Sequence, residues 1–100
     1  MIDLHFICRH GENLTHLEGH RYRSGAWVVG TKTADEAVGG NIRLHEAQDA
    51  PAYHGGQILA WCDAPEPENA GRKYFVYEAE AGYRERCNGN WGREKCIVRR

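Results

Sequence analysis

The sequence predicts an α+β domain, mostly antiparallel: a small sheet that curls or closes into a β-barrel and carries one or two short helices. Three observations lead there. Short runs with strand character recur along the whole chain, one stretch has helical capping signals, and 100 residues allow a single core but no broad sheet with helices on both faces. With 41% apolar and 27% charged residues, the chain has the composition of an ordinary globular protein. One domain spanning residues 1–100 is expected.

The strand-like runs are "LHFIC" (4–8), "AWVVG" (26–30), "NIRLHE" (41–46), "QILAWC" (57–62), "KYFVYEAE" (73–80) and "KCIVR" (95–99). In "NIRLHE", Ile42 and Leu44 alternate with Asn41, Arg43 and His45. One face should therefore meet the core and the other water or a ligand, with Arg43 and His45 side by side. The helix is expected in "TKTADEAVGG", where Thr33 and Glu36 have capping-box spacing and Gly39 falls where a helix ends in a left-handed residue. The intervening "RHGENLTHLEGHRYRSG", "AQDAPAYHGG", "DAPEPENAG" and "AGYRERCNGNWG" are rich in turn formers and read as loops.

Charge is unevenly spread: residues 34–70 hold one Arg against seven acids, while 71–100 hold eight basic residues against four acids. A net charge of −1 argues against wholesale binding to duplex nucleic acid, which needs many phosphate contacts, but leaves room for a local basic rim. No basic segment precedes a long apolar stretch, and nowhere do 18 apolar residues run together, so a cytoplasmic protein off the membrane is expected. Cys8, Cys62, Cys87 and Cys96 form no closely spaced pair, and reduced thiols are expected.

Arg9, His10, Gly11 and Glu12 stand in the order found at the nucleophile of histidine phosphatases. That chemistry needs a second His and further Arg around the phosphate, together with long helices; the later segments offer no recognisable partner His on a strand end, and the long helices have nowhere to go. His5, Cys8, His10, His16 and His20 crowd the first fifth, with His16 and His20 spaced to share a helix face. No Cys-x-x-Cys knuckle or zincin motif accompanies them, so no metal and no cofactor is assigned. Ser24, Thr31 and Thr33 lack a nucleophile elbow, and Glu66 and Glu68 lie in a Pro-bearing loop that reads as solvated.

"GHRYRSGAWVV" followed by "AVGGNIRLHEAQDAPAYHGGQILAW" combines basic and aromatic residues at strand entrances with two Gly pairs, Gly39–Gly40 and Gly55–Gly56. The succession of strand, short helix, glycine-marked turn, strand and Gly-led strand over about residues 20–80 resembles the PUA-like superfamily of PUA, ASCH and EVE domains. These small β-barrels bind RNA or modified nucleobases in DNA, and a few ASCH members hydrolyse modified nucleosides. The resemblance implies a cleft beside the short helix where a base stacks on an aromatic ring.

The ligand-binding residues expected around that cleft are Arg21, Tyr22, Arg23, Ser24, Trp27, His45, Glu46 and Tyr53. Arg21, Arg23 and Ser24 would meet a phosphate, while Trp27 or Trp61, or the loop residues Tyr22, Tyr53 and Trp91, would offer a ring. A binding module for single-stranded nucleic acid or a nucleotide leads. Two alternatives stand beside it: a protein-interaction or inhibitory module, and a small hydrolase of modified nucleosides with His45 or Glu46 as its base.

Overall fold

The computed structural model describes residues 2–9, 14–64, 71–80, 87, 91–92 and 95–99. They form, in order, β1 (Ile2–Ile7), β2 (Leu14–His16), β3 (Arg21–Val28), α1 (Thr31–Ala37), β4 (Asn41–His45), β5 (His54–Asp63), β6 (Arg72–Ala79) and β7 (Lys95–Arg99). The strands make one mixed sheet in the order β2-β3-β6-β5-β4-β1-β7. β1 and β4 run parallel and every other neighbouring pair runs antiparallel.

The small sheet-dominated α+β domain is present, but among the described residues the sheet does not close into a barrel: β2 and β7 remain its two edges. It is nonetheless strongly curled. Four inter-strand steps separate β3 from β1, about 19 Å on a flat sheet, yet the rings of Trp27 on β3 and Phe6 on β1 stack with centroids 4.2 Å apart. Curling also brings Lys95 of β7 to the Val28 carbonyl at the end of β3, with Nζ donating at 2.6 Å.

All six expected strand regions are present, with shifted ends and one addition. β3 begins at Arg21 rather than 26, so "RYRS" is strand and not loop, because Arg21–Ser24 pair with Phe75–Glu78 of β6. The short β2, inside another expected loop, pairs Leu14–His16 with Tyr22–Ser24; His16 and His20 therefore share no helix. α1 starts at Thr31 with Gly30 as N-cap and no side-chain cap, so Thr33 and Glu36 do not form the expected box. The helix is held by burial of Ala34 and Ala37, one turn apart, against the inner face of the sheet. Gly39 ends it at φ +92°, as its position after the helix implied. His10, Gly11, Glu12, Glu66 and Glu68 lie outside the described residues.

The concave inner face holds the apolar core: Ile2, Leu4, Phe6, Trp27, Ile42, Leu44, Ile58, Phe75 and Tyr77, all under 10% exposed. Alternation sends their neighbours to the outer face, which the structure divides. Over β1, β4 and β7 it is buried, with Asp3 5%, His5 3%, Arg43 2%, His45 0% and Cys96 2% exposed. Over β3, β6 and β5 it is open. The expectation that Arg43 and His45 meet water or a ligand is thus overturned: they share a face as the alternation requires, but Cys87 and Trp91 lie against it.

Within the buried half, Arg43 donates to Asp3 Oδ2 at 3.0 Å, and the Asn41 side-chain and backbone nitrogens donate to Asp3 Oδ1 at 3.3 Å. The pair ties the parallel strands β1 and β4, where His5 is in register with Arg43 and Asp3 with Asn41. Replacing Asp3 by Asn leaves the guanidinium buried beside a neutral amide. Urea unfolding of Asp3→Asn at pH 7 is expected to show a loss of roughly 3–5 kcal/mol; a loss below about 1 kcal/mol would show that solvent reaches Arg43.

Candidate functional site

The eight residues singled out from the sequence do not surround one cleft. Ser24 and Trp27 are interior: Ser24 is fully buried and accepts a hydrogen bond from Trp27 Nε1 at 3.0 Å, while the indole stacks on Phe6. His45 is fully buried on the covered outer face. Tyr22 turns inward and is half-buried, whereas Arg21 and Arg23, offset by one residue, turn outward. Tyr53 donates to the Arg9 carbonyl at 3.0 Å and stands 2.9 Å from Cys8 Sγ; Glu46 is exposed nearby and acts electrostatically on Tyr53. Trp61 is anchored by Nε1 to Asp35 of α1 at 2.9 Å.

Three groupings follow. The first lies at the end of the curled sheet where β3 begins, β5 begins and β6 ends. Tyr22 meets His54 edge-on at 4.7 Å between centroids and His16 at 4.9 Å, and His54 Nδ1 is 2.6 Å from the Tyr77 hydroxyl. Burial lowers the His54 pKa and raises those of Tyr77 and Tyr53, so this end of the interior is polar but uncharged at neutral pH. The exposed His16 is held by the Gly19 carbonyl, 2.8 Å from its Nε2.

The second grouping is the buried outer layer. His45 Nδ1 faces the Ala50 carbonyl at 2.8 Å, which can only accept, so Nδ1 carries the proton and Nε2 is the acceptor. His5 Nδ1 lies 2.9 Å from that Nε2 and donates to it. A one-way chain runs from His5 through His45 to Ala50, and Trp91 meets both imidazoles edge-on at 6.1 and 5.3 Å. With both ring nitrogens engaged and no exposure, His45 serves as a structural link and has no atom to offer a substrate. Burial, then Arg43, lower its pKa against the opposing Ala50 carbonyl.

The third grouping is the open half of the outer face, and it is the one with the means to meet a charged ligand. Arg21 and Arg23 on β3 lie beside Arg72, Tyr74, Val76 and Glu78 on β6. The Arg23 guanidinium sits over the Tyr74 ring at 4.5 Å, and Arg72 donates to the Ala26 carbonyl at 3.0 Å. Arg21 approaches Glu78 at 3.8 Å, a loose exposed pair. The Tyr74 ring lies across Gly25, where a Cβ would come within 2.1 Å of its Cδ1. Glycine at 25 thus gives the ring its place on the sheet. Beside Arg21, a shallow recess of about 310 Å³ is lined by Glu18, Gly19, His20 and Glu78.

No family model, no curated protein and no solved structure matches this chain. The chemistry must be read from the residues themselves. Among the described residues, no three His, Cys, Asp or Glu side chains converge as a metal ion would require. The ligand-binding set expected from the sequence contains neither Arg72, which belongs to the basic 71–100 stretch, nor Tyr74. Their signal was the alternation in "RKYFVYEAE", which sets Arg72, Tyr74, Val76 and Glu78 on one side and Lys73, Phe75 and Tyr77 on the other; what puts them beside Arg21 and Arg23 is the β3–β6 register.

Burial, reinforced by His45 and by the Arg43 charge and opposed by Asp3, holds the His5 pKa down to about 4. The unfolded chain takes up a proton there near pH 6.5, so stability is full above that pH and falls as the pH drops from 6.5 towards 4, by about 3 kcal/mol in all. Urea midpoints at pH 7 and pH 4.5 should show this loss in the native chain and a clearly smaller one in His5→Gln. Equal losses would assign the acid sensitivity to other groups.

Proposed function

We propose that the chain is a binding module for single-stranded nucleic acid or a nucleotide, with the ligand lying across the open outer face of β3 and β6. The observation that carries this reading is the placement of three guanidinium groups on one open sheet face, with Arg23 over the Tyr74 ring, Arg72 two positions before Tyr74 on β6 and Arg21 further along beside Glu78, the one acid of those two strands. Arginine forks meet phosphate oxygens in bidentate fashion, and a flat aromatic ring gives a base a sequence-tolerant surface to stack on. A single strand suits this surface better than a duplex: three cations on a curved sheet contact few phosphates, and the chain as a whole is slightly acidic.

Kinship with the PUA-like barrels belongs to the same proposal. It is supported by the strong curl of the sheet and by a short helix leading into a glycine-marked strand. The ligand face differs from the one that kinship implied, because Ser24, Trp27 and His45 are interior. A cytoplasmic setting is proposed on the spacing of the cysteines. No helix among the described residues is long and apolar enough to cross a membrane.

Fluorescence polarisation with a labelled pyrimidine-rich oligonucleotide tests the reading. Affinity should fall with rising salt, with a log–log slope of about −2 if three phosphates are neutralised. Arg23→Ala with Arg72→Ala should flatten that slope, and Tyr74→Ala should weaken binding by roughly 5- to 100-fold at any salt. Native-like circular dichroism in these variants with unchanged oligonucleotide affinity would overturn the assignment.

A further inference from the structure

Cys87 and Cys96 are nine positions apart, and their sulfurs lie 3.1 Å from one another, the Cys87 thiol donating to Cys96 Sγ. Cys96 is in register with His5 on the buried outer face, and Cys87 is half-buried above it. Between them in sequence stands Trp91, whose ring rests on His5 and His45. The other two cysteines have different surroundings: Cys8 adjoins Tyr53, and Cys62 is exposed on β5.

We propose that Cys87 and Cys96 are a reversible dithiol site, oxidised by small-molecule disulfides such as glutathione disulfide to a bond that clamps Trp91 over the His5–His45 pair. A contraction of about 1 Å brings the sulfurs to bonding distance, well within the reach of two side chains already in contact. Burial pushes the Cys96 thiol up to about 12, so the first nucleophile is the less buried Cys87. Its thiolate attacks one sulfur of glutathione disulfide, whose S–S bond breaks and releases a glutathione thiolate. Cys96 then loses its proton to that thiolate and attacks Cys87 Sγ, expelling the second glutathione. Two protein thiols are oxidised, and one glutathione disulfide is reduced to two thiols.

The site is tested by incubating the native chain in glutathione redox buffers and mapping the product by mass spectrometry. The expected product is lighter by two hydrogens. After trypsin without reductant, the peptide of residues 87–93 should stay joined to that of 96–99, although Arg93 and Lys95 are cleaved between them. Closing so short a loop should raise the folded-to-unfolded ratio by about a hundredfold in urea, reversed by dithiothreitol. Cys87→Ser, a substitution outside the apolar core, should form no such link and show no oxidative stabilisation, while Cys62→Ser should behave like the native chain. A stable mixed disulfide on Cys87, a link to Cys8 or Cys62, or an oxidised form no more stable than the reduced one would overturn the proposal.

Discussion

The ion pair between Asp3 and Arg43 is the constraint on which the rest of the structure depends. It joins the two parallel strands at the centre of one wing of the sheet, on the side away from the apolar core. A buried guanidinium requires a buried carboxylate, and both need further hydrogen-bonding partners; Asn41 supplies two donors to Asp3. With this pair in place, β1 and β4 cannot slip by one residue without exchanging charged groups for Leu4 and Ile42. The neighbouring His5–His45 link extends the same layer towards Ala50 and continues the specification of register into the loop after β4.

The sheet thus uses its outer face in two ways. Over β1, β4 and β7 the polar side chains bond to one another beneath Trp91 and Cys87. Over β3 and β6 a comparable set of arginines, with Tyr74, remains at the surface. The inner face carries one apolar core across both halves, because the curl that stacks Phe6 on Trp27 wraps the central strands around it, with polar groups at Lys73 and at the His54–Tyr77 end. A ligand face built this way is carried by paired strands rather than loops, which holds Arg23 and Tyr74 in fixed register.

Individual residues show how far sequence reading reached. The pleat put Arg43 and His45 on one side of β4, and that is where they are; it could not say that this side is buried, because Cys87 and Trp91, which lie against it, are more than 40 positions away. Arg21 and Arg23 were legible as a basic pair but looked like loop residues, since "RYRSG" acquires strand character only by pairing with β6. Trp27 carried the ambiguity of every aromatic in an apolar strand, and its stack on Phe6 resolved it in favour of the core. The Thr33–Glu36 spacing pointed to the right segment for the helix but the wrong start, because burial of Ala34 and Ala37 outweighs a cap.

By itself, the sequence determined the quantities that depend on near neighbours: the strand-rich α+β class, the place of the one helix, the left-handed turn at Gly39, and the alternation that divides each strand into two faces. These are set by backbone sterics and by the period of two, both local. Only the tertiary structure decided which polar face is covered, which aromatic rings are core, and that Cys87 meets Cys96. Those outcomes depend on the order of strands in the sheet and on its curl, which are settled by contacts between residues far apart in the chain.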